Sequence, residues 1–271
     1  MGRIYLFWIN KKKIDKILVA VITVLIVALA YIEAKTVSTD INGKGARVAI
    51  VIDDFGGDVP GVKEMFEINY PLTFAVMPHL EFSRSQAERA HKEGFQVILH
   101  LPMEPGRGKG SWLGPGAIST KMTDEEIRRS VREDLADIPW AVGFNNHMGS
   151  RATADERVMR AVLEVAKEKN LFVLDSRTTD KTVIPVVASK LGVAMTRRTV
   201  FLDNVNSLSH IRKQLAKVAE EAHNKGAAVA IGHVGPTGPN VVKVLKEMLP
   251  KLEEQGIEIV YLSDLVYKKP K

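Results

Sequence analysis

Residues 48–56 read VAIVIDDFG, an apolar run that ends in two adjacent acids, Asp53 and Asp54, and a glycine. The run predicts a buried β-strand, and ionised carboxylates at the end of such a strand are costly unless they bind a metal, a proton or another cation. Adjacent strand residues point to opposite sides, but at the end of a strand both side chains reach a cleft. One acid is then placed to hold a metal while its neighbour takes a proton. The rest of the chain must supply further ligands and an opposing acid.

Apolar strand-like runs alternate with amphipathic helical patterns through residues 46–267, which we interpret as one catalytic domain. This alternation favours a parallel sheet. Seven or eight such units predict an α/β fold of the (β/α)7–8 barrel type, regular or distorted. The strand-like runs are 47–52, 72–77, 95–101, 140–145, 171–174, 194–201, 227–231 and 257–262, and the helical patterns are 59–67, 83–92, 124–138, 154–169, 182–191, 207–224 and 240–254.

The first 45 residues differ from this body. Residues 1–16 include a basic cluster, residues 17–32 (ILVAVITVLIVALAYI) are uncharged and mostly apolar, and residues 33–45 form a polar linker. Basic residues ahead of an apolar stretch orient the N-terminus to the cytoplasm. The stretch is slightly short for a full span and long for a signal-peptide core. We predict a single-pass membrane anchor, with a cleaved signal peptide or a buried core helix as alternatives. An anchor places the body outside the cytoplasm, and a cleaved signal makes it secreted or periplasmic.

Composition excludes several classes of function. The chain has 271 residues, of which 45% are hydrophobic and 26% charged, so a sizeable core can form. Cysteine is absent, which excludes disulfides, zinc–thiolate sites and thiol nucleophiles. A metal must therefore be held by oxygen and imidazole ligands. Part of the net charge of +6 comes from lysines at the two ends, and no basic stripe is interleaved with aromatic residues. This pattern argues against a nucleic-acid partner.

Polar residues recur at the ends of the predicted strands. In parallel α/β folds the working face lies at the C-terminal ends of the strands. Imidazole combined with carboxylates suits zinc or another first-row divalent ion. Glu104, four residues after His100, has the spacing that places two ligands on one side of a local turn. The residues concerned are Asp53 and Asp54 after the first strand, His100 in the third, His147 after the fourth, Asp175 after the fifth and His233 after the seventh.

Each of these residues also has a structural interpretation. Loop hydrogen bonds would satisfy His147, a salt bridge to Arg177 would satisfy Asp175, and His233 would only stabilise its turn. In the functional interpretation, His233 is a general acid, and Asp175 orients a histidine or binds an incoming group.

Candidate substrate-binding residues lie beside the predicted ligands. Asn146, Ser150 and Arg151 flank His147 in a segment of small residues that lets a substrate approach the backbone. Residues 103–121 form a long loop rich in glycine and proline, which is typical of lids and binding loops. Within this loop, Trp112 either stacks on the face of a sugar or pins the loop to the body.

In this order, the motifs resemble those of the divergent polysaccharide deacetylases, a branch of the NodB-like carbohydrate esterases. The resemblance covers residues 47–266. VIDDFG (51–56) resembles the family's Thr-Phe-Asp-Asp-Gly motif, HLPMEP (100–105) its His-x-x-x-His-Pro segment and IGHV (231–234) its Leu-x-His motif. Asp175 matches the later acidic motif loosely.

The resemblance implies a NodB-like barrel with Asp53 as general base, Asp54 and His100 as metal ligands and His233 as general acid. Two positions depart from the family pattern. Glu104 stands where the second histidine is expected, and NNHMGSRAT (145–153) replaces an Arg-x-Pro-x-Gly motif. We therefore expect Asp54, His100 and His147 to bind the metal, with Glu104 as a fourth ligand or as a partner of the ligands.

The implied function is metal-dependent removal of N- or O-linked acetyl groups from a cell-envelope polysaccharide, with zinc as the expected metal. The metal polarises the acyl carbonyl, Asp53 removes a proton from the attacking water, and His233 protonates the leaving group. Two alternatives stay open. One is an inactive glycan-binding or envelope protein on the same barrel, and the other is a metal hydrolase of a different amide or ester.

Overall fold

Strands and helices alternate along the part of the chain that the computed structural model describes, residues 45–108 and 112–267. The strands are β1 (Ala46–Phe55), β2 (Thr73–Val76), β3 (Gln96–Met103), β4 (Gly143–Met148), β5 (Phe172–Asp175), β6 (Met195–Arg197), β7 (Val200–Phe201), β8 (Ala227–His233) and β9 (Ile257–Val260). The helices are α1 (Val62–Met65), α2 (Ser83–Lys92), α3 (Asp124–Asp137), α4 (Glu156–Glu168), α5 (Ile184–Leu191), α6 (Leu208–Lys225) and α7 (Gly238–Glu254), with 3-10 turns at Ala152–Ala154 and Leu262–Leu265.

The strands form one parallel sheet in the order β6-β5-β4-β3-β2-β1-β8-β7, and β9 pairs with the start of β1. The two ends of this order, β6 and β7, are separated in the chain by Arg198 and Thr199 alone. The sheet therefore curls until the chain crosses directly from one end to the other. The barrel prediction is confirmed in this coarser form, as a curled half-barrel, because β6 and β7 are not paired with each other among the described strands.

Each predicted strand-like run overlaps an observed strand, and each predicted helical pattern overlaps an observed helix. The run 194–201 differs because it is divided into β6 and β7. At this point the backbone changes partner, since Arg198 N–H donates to the carbonyl of Asp175, whereas Thr199 N–H donates to the carbonyl of Val229. Helix α3 begins with a capping box between Thr123 and Glu126, which the sequence TDEE at 123–126 by itself predicts.

Alternation along the strands places the polar residues of interest. In β1, Val48, Ile50 and Ile52 pack in the larger hydrophobic cluster, whereas Ala49 and Val51 belong to the smaller cluster. By this alternation Asp53, at the end of the strand, points to the same face as Ala49 and Val51. By the same alternation His100 follows Ile98 in β3, and His233 follows Ile231 in β8. These three polar residues therefore occupy one face of the curled sheet, at its C-terminal edge.

Within residues 45–108 and 112–267, no helix combines the length and the apolar character needed to cross a bilayer. The predicted anchor at 17–32, the basic segment 1–16 and most of the linker 33–45 lie outside the described residues.

Candidate active site

The end of β1 brings both of its acids to the same cleft. The β1–β2 register shifts between Ile52 and Phe55, and Asp54 has a φ of 70°. A positive φ is uncommon for a residue other than glycine, although aspartate tolerates it better than most. An irregularity of this kind re-aims the side chains beside it. Asp54 thus faces His100 and His147, and Asp53 lies alongside.

Three side chains from three strands form a close triangle of potential metal ligands. Oδ1 of Asp54 lies 3.2 Å from Nε2 of His100 and 3.1 Å from Nδ1 of His147. The two imidazole nitrogens are 3.1 Å apart. The register of β3 and β4 explains the meeting, because Pro102 pairs with His147 two positions after His100 pairs with Asn145. The sequence-predicted ligands Asp54, His100 and His147 are therefore together in space.

The hydrogen bonds behind the histidines determine which nitrogens carry protons. Asn145 donates from Nδ2 to Oδ1 of Asp53 at 2.8 Å, so its amide oxygen faces Nδ1 of His100 at 2.7 Å. That nitrogen must be the donor. Nε2 of His147 lies 3.0 Å from the carbonyl of Trp112, which only accepts. In the neutral rings, lone pairs are left on Nε2 of His100 and Nδ1 of His147, both directed at the triangle.

Three lone pairs at these distances need a cation between them. Oδ1 of Asp54 is buried and has no hydrogen-bond partner among the described residues. A first-row divalent ion with ligand bonds of about 2.0–2.1 Å holds neighbouring ligand atoms about 3.0–3.4 Å apart, which the observed spacings match. The oxygen and imidazole donors suit such an ion as well. The residues therefore fit a divalent metal.

Without a metal, a proton can satisfy the same atoms. Burial lowers the pKa of His100, but the carboxylates of Asp53 and Asp54 outweigh burial and raise that pKa above its usual value. Burial raises the pKa of Asp54, yet His100 and His147 hold it well below its ordinary range.

Asp53 lies beside the triangle and outside it. Its Oδ2 is 3.7 Å from Nε2 of His100, and its Oδ1 accepts the Asn145 amide. The side chain is 3% exposed. Burial raises the pKa of Asp53, against the lowering effect of His100 and His233. A buried carboxylate with a raised pKa is suited to accept a proton near neutral pH.

His233 pairs with Asp53 across β1 and β8, and a buried carboxylate supports it. Oδ1 of Asp203 lies 2.9 Å from His233 Nδ1, and Oδ2 accepts the His233 backbone N–H at 3.0 Å and the Thr237 hydroxyl at 2.5 Å. Burial lowers the pKa of His233, but the Asp203 carboxylate outweighs burial and raises that pKa to about 9. His233 is therefore protonated at neutral pH.

Sequence reasoning missed Asp203, although a signal was present. Residues 200–203 read VFLD, an apolar run ending in an acid, like FVLD at 172–175. Asn145 was considered only as the first residue of the NNHMGSRAT segment (145–153), and its contacts identify it as the residue that orients both His100 and Asp53.

Glu104 does not join the triangle of ligand atoms. Its Oε2 accepts hydrogen bonds from the Thr120 backbone N–H, the Thr120 hydroxyl and the Ser119 hydroxyl, at 2.7 to 3.0 Å. Its Oε1 pairs with Nη1 of Arg151 at 3.1 Å. Of the two expected roles, the structure thus disfavours a fourth ligand, because Oε2 already ties the start of the 103–121 loop to its end and Oε1 is paired with Arg151.

Most of the predicted substrate-binding side chains form hydrogen bonds or ion pairs within the loops. Asn146 donates to the carbonyl of Met148 and accepts the Ser176 backbone N–H. Ser150 accepts the Gly106 backbone N–H, and Arg151 pairs with Glu104. Trp112 differs, because its side chain is 60% exposed while its carbonyl accepts from His147.

Asp175 lies at the end of β5, and its carboxylate is not part of the triangle. Oδ1 accepts the Arg177 backbone N–H at 2.9 Å, and Oδ2 is buried without a hydrogen-bond partner among the described residues. The salt bridge to Arg177 that the structural interpretation required is not formed. Burial raises the pKa of this carboxyl group.

Comparison with solved structures agrees with this fold. The uncharacterized protein ATU2773 from Agrobacterium tumefaciens C58 aligns with a TM-score of 0.77 at 21% identity, over 82% of this chain and 90% of that one. The Bc1960 peptidoglycan N-acetylglucosamine deacetylase aligns with a TM-score of 0.52 at 16% identity, over 81% and 87% of the two chains. At these identities the likeness establishes the fold alone.

Sequence relationships are more specific. The family model described as divergent polysaccharide deacetylase matches residues 50–266. A protein of Escherichia coli (strain K12), the uncharacterized protein YibQ, is 34% identical over 220 residues, which are 81% of this chain and 67% of that protein. The chain therefore belongs to the divergent polysaccharide deacetylase family.

Proposed function

We propose that the protein is a metal-dependent hydrolase that removes acetyl groups, N- or O-linked, from a polysaccharide of the cell envelope. The observation that carries this proposal is the pairing of Asp53 with His233 across β1 and β8, next to the Asp54–His100–His147 triangle. A buried base, a protonated acid and a divalent-ion site together form the set that hydrolysis of an amide or ester requires.

Zinc is the metal we propose at the triangle of Asp54, His100 and His147. Such an ion polarises the acyl oxygen and lowers the pKa of a nearby water. The membrane anchor at 17–32, with the body outside the cytoplasm, is also part of the proposal, since the expected substrate lies there.

Asp53 and His233 carry the proton transfers. Asp53 accepts a proton from the water that attacks the acyl carbon, and the Asn145 amide holds its carboxylate in place for this step. His233 donates a proton to the departing amine or alcohol, because Asp203 keeps the ring protonated with Nδ1 engaged. Nε2 of His233 is then the nitrogen that delivers the proton.

Acetate release from acetylated glycans tests the proposal. The full-length chain, supplied with zinc, is incubated with N-acetylated and O-acetylated oligosaccharides, and free acetate is quantified. We expect release by the native sequence and a loss of at least about 100-fold in Asp53→Asn and His233→Gln, given the usual weight of general acid–base catalysis. The matched control is His91→Ala, which removes an exposed histidine on α2.

The alternatives give different outcomes. Saturable glycan binding without acetate release, unchanged by a chelator, would identify an inactive glycan-binding protein. Chelator-sensitive hydrolysis of other amides or esters, with acetylated glycans left intact, would identify a hydrolase of another substrate. Either result contradicts the deacetylase proposal.

A further inference from the structure

Three arginines surround the end of β5 and β6 on the same edge of the sheet as the catalytic residues. Arg197 ends β6, Arg198 follows it, and Arg177 lies two residues after β5. Most arginines on the helices pair with a carboxylate, as Arg212 does with Glu247 at 2.7 Å. None of the three arginines at the strand ends has a carboxylate of the described residues within 4.0 Å.

Arg198 is the most enclosed of the three, being half-buried while the other two are exposed. Its Nε donates to the carbonyl of Ser176 at 2.7 Å, and its Nη2 donates to the carbonyl of Arg177 at 3.1 Å. A guanidinium has five N–H donors, so three stay available. Its position is therefore determined by the backbone, while no carboxylate of the described residues forms an ion pair with it.

One aromatic ring joins Arg198 to the proposed general acid. The guanidinium carbon lies 3.7 Å from the ring centre of Phe201, and that ring lies 5.7 Å, centre to centre, from the ring of His233. The charge thus lies one side chain away from the group that protonates the leaving atom. When the acetylated position lies beside His233, a charged substituent on the neighbouring sugar would lie close enough to contact Arg198.

Asp175 and Asp53 raise the pKa of Arg198 but do not outweigh its burial. Asp175 feels the charges of Arg197 and Arg177, but burial raises the pKa of its carboxyl group. Burial and the charge of Arg177 also lower the pKa of Arg198 to about 10. A half-buried cation without an anionic partner is costly unless a ligand supplies one.

We infer that Arg198, flanked by Arg177 and Arg197, binds an oxyanion, a carboxylate or a phosphate group, on the glycan substrate. The inference rests on the proposed function for the identity of the glycan. Guanidinium groups bind carboxylates and phosphates through paired hydrogen bonds. The substrate is then an acidic glycan whose charged group lies near the acetylated sugar, and Arg198 is a residue that determines specificity.

Equilibrium binding tests this site without turnover. The full-length chain carrying Asp53→Asn is titrated in a calorimeter with chitotetraose, which is neutral, hyaluronan tetrasaccharide, which carries carboxylates, and phosphorylated chitotetraose. We expect at least one charged ligand to bind about tenfold tighter or more than chitotetraose. That preference should weaken at high salt. The stronger of the two charged ligands identifies the oxyanion.

Arginine variants test whether Arg198 causes the preference for charged ligands. Arg198→Gln should abolish it while leaving chitotetraose binding unchanged, and Arg198→Lys should retain part of it, because the charge stays and the paired hydrogen bonds are lost. The matched control is Arg89→Gln, which removes a guanidinium stacked 3.9 Å from the ring of Phe66 in the last turn of α2. If Arg198→Gln fails to fold, the double variant Arg177→Gln/Arg197→Gln, at exposed positions, should reduce the preference about threefold or more.

Several results would overturn the inference. They are equal affinity for neutral and charged ligands, no saturable binding of either charged ligand, or an equal loss of neutral and charged binding in Arg198→Gln. Acetate release from acetylated glycans with no preference for charge would refute the oxyanion site alone. A charge preference that depends on Arg198, without acetate release from any glycan, would refute the hydrolase and leave the oxyanion site standing.

Discussion

The protonation of His233 depends on one buried carboxylate, so Asp203→Asn should change the pH dependence of the reaction. Oδ1 of Asp203 lies 2.9 Å from His233 Nδ1, and its charge raises the pKa of His233 to about 9. A neighbouring opposite charge typically shifts a pKa by about 1–3 units. Without that charge the pKa of His233 should fall to about 6.5, its ordinary value, or lower because of burial. The amide also faces the His233 backbone N–H or Nδ1 with an N–H of its own, which disfavours the imidazolium further.

The sign and size of the effect follow from the protonated fraction of the acid. Activity needs protonated His233, so the native enzyme should lose activity as pH rises through about 9. In Asp203→Asn the same loss should occur near pH 6.5, a downward shift of about 2–3 units. At pH 7.5 the protonated fraction falls from about 97% to about 10%, which lowers kcat about tenfold. At pH 5.5 the variant should stay close to the native enzyme.

The assay is the initial rate of acetate release against pH at a saturating concentration of zinc. In parallel, the histidine Cε1–H resonance assigned by His233→Gln reports the pKa directly. Thr237→Val is the matched control, because it removes the hydroxyl that donates to Asp203 and leaves the carboxylate charge intact. In Thr237→Val, the pH at which activity falls on the alkaline side of the profile should move by less than about half a unit. The reasoning would be refuted if a folded Asp203→Asn variant lost activity at the same alkaline pH as the native protein and its His233 resonance reported the same pKa.

Three further predictions concern the metal site. A chelator should abolish acetate release, and added zinc should restore it. Asp54→Ala and His147→Ala should lower the bound metal, measured by elemental analysis, to under about a tenth of the native content, whereas His91→Ala should not. Equal metal content in all variants would contradict the triangle. Asn145→Ala should weaken metal affinity about 10–100-fold, since the hydrogen bond that orients His100 is lost. The affinity is measured by competition with a chromophoric chelator, and an unchanged value would argue that Asn145 does not orient a ligand. Glu104→Gln should lower the free energy of unfolding by about 1–3 kcal/mol in denaturant titrations, because one acceptor oxygen is replaced by an NH2 group that faces the donors of Ser119 and Thr120 or the guanidinium of Arg151. The same change should leave metal affinity unchanged, and a large loss of affinity would instead make Glu104 a ligand.

Much of the fold was predictable because the patterns that specify it are local. The alternation of apolar strands and amphipathic helices predicted the α-helices between residues 46 and 260 and the strands other than the separate β6 and β7, and the capping pair Thr123 and Glu126 predicted the start of α3. Hydrophobic periodicity records which face of an element is buried, and this information lies within a few neighbouring residues. The division of 194–201 into two strands was missed, because it depends on a change of hydrogen-bond partner from β5 to β8.

The candidate site was predictable only in part. The position of His100 at a strand end was local information, and so was the acid pair at the end of β1. The hydrogen bonding of Glu104 was not, because the four contacts that occupy its carboxylate come from the far end of its loop and from Arg151. Asp203 was overlooked because its importance comes from β7 lying beside β8, which the sequence around it does not indicate.

The amino-acid sequence alone determined which residues form strands and helices and which polar side chains end them, since these follow from the period of the apolar residues. Tertiary structure alone decided which side chains meet. A shifted register and a left-handed backbone turned Asp54 toward two histidines, and the pairing of β1 with β8 brought Asp53 to a histidine 180 residues further along the chain. Such meetings depend on the lateral order of strands, which long-range hydrogen bonding establishes and which no local pattern encodes.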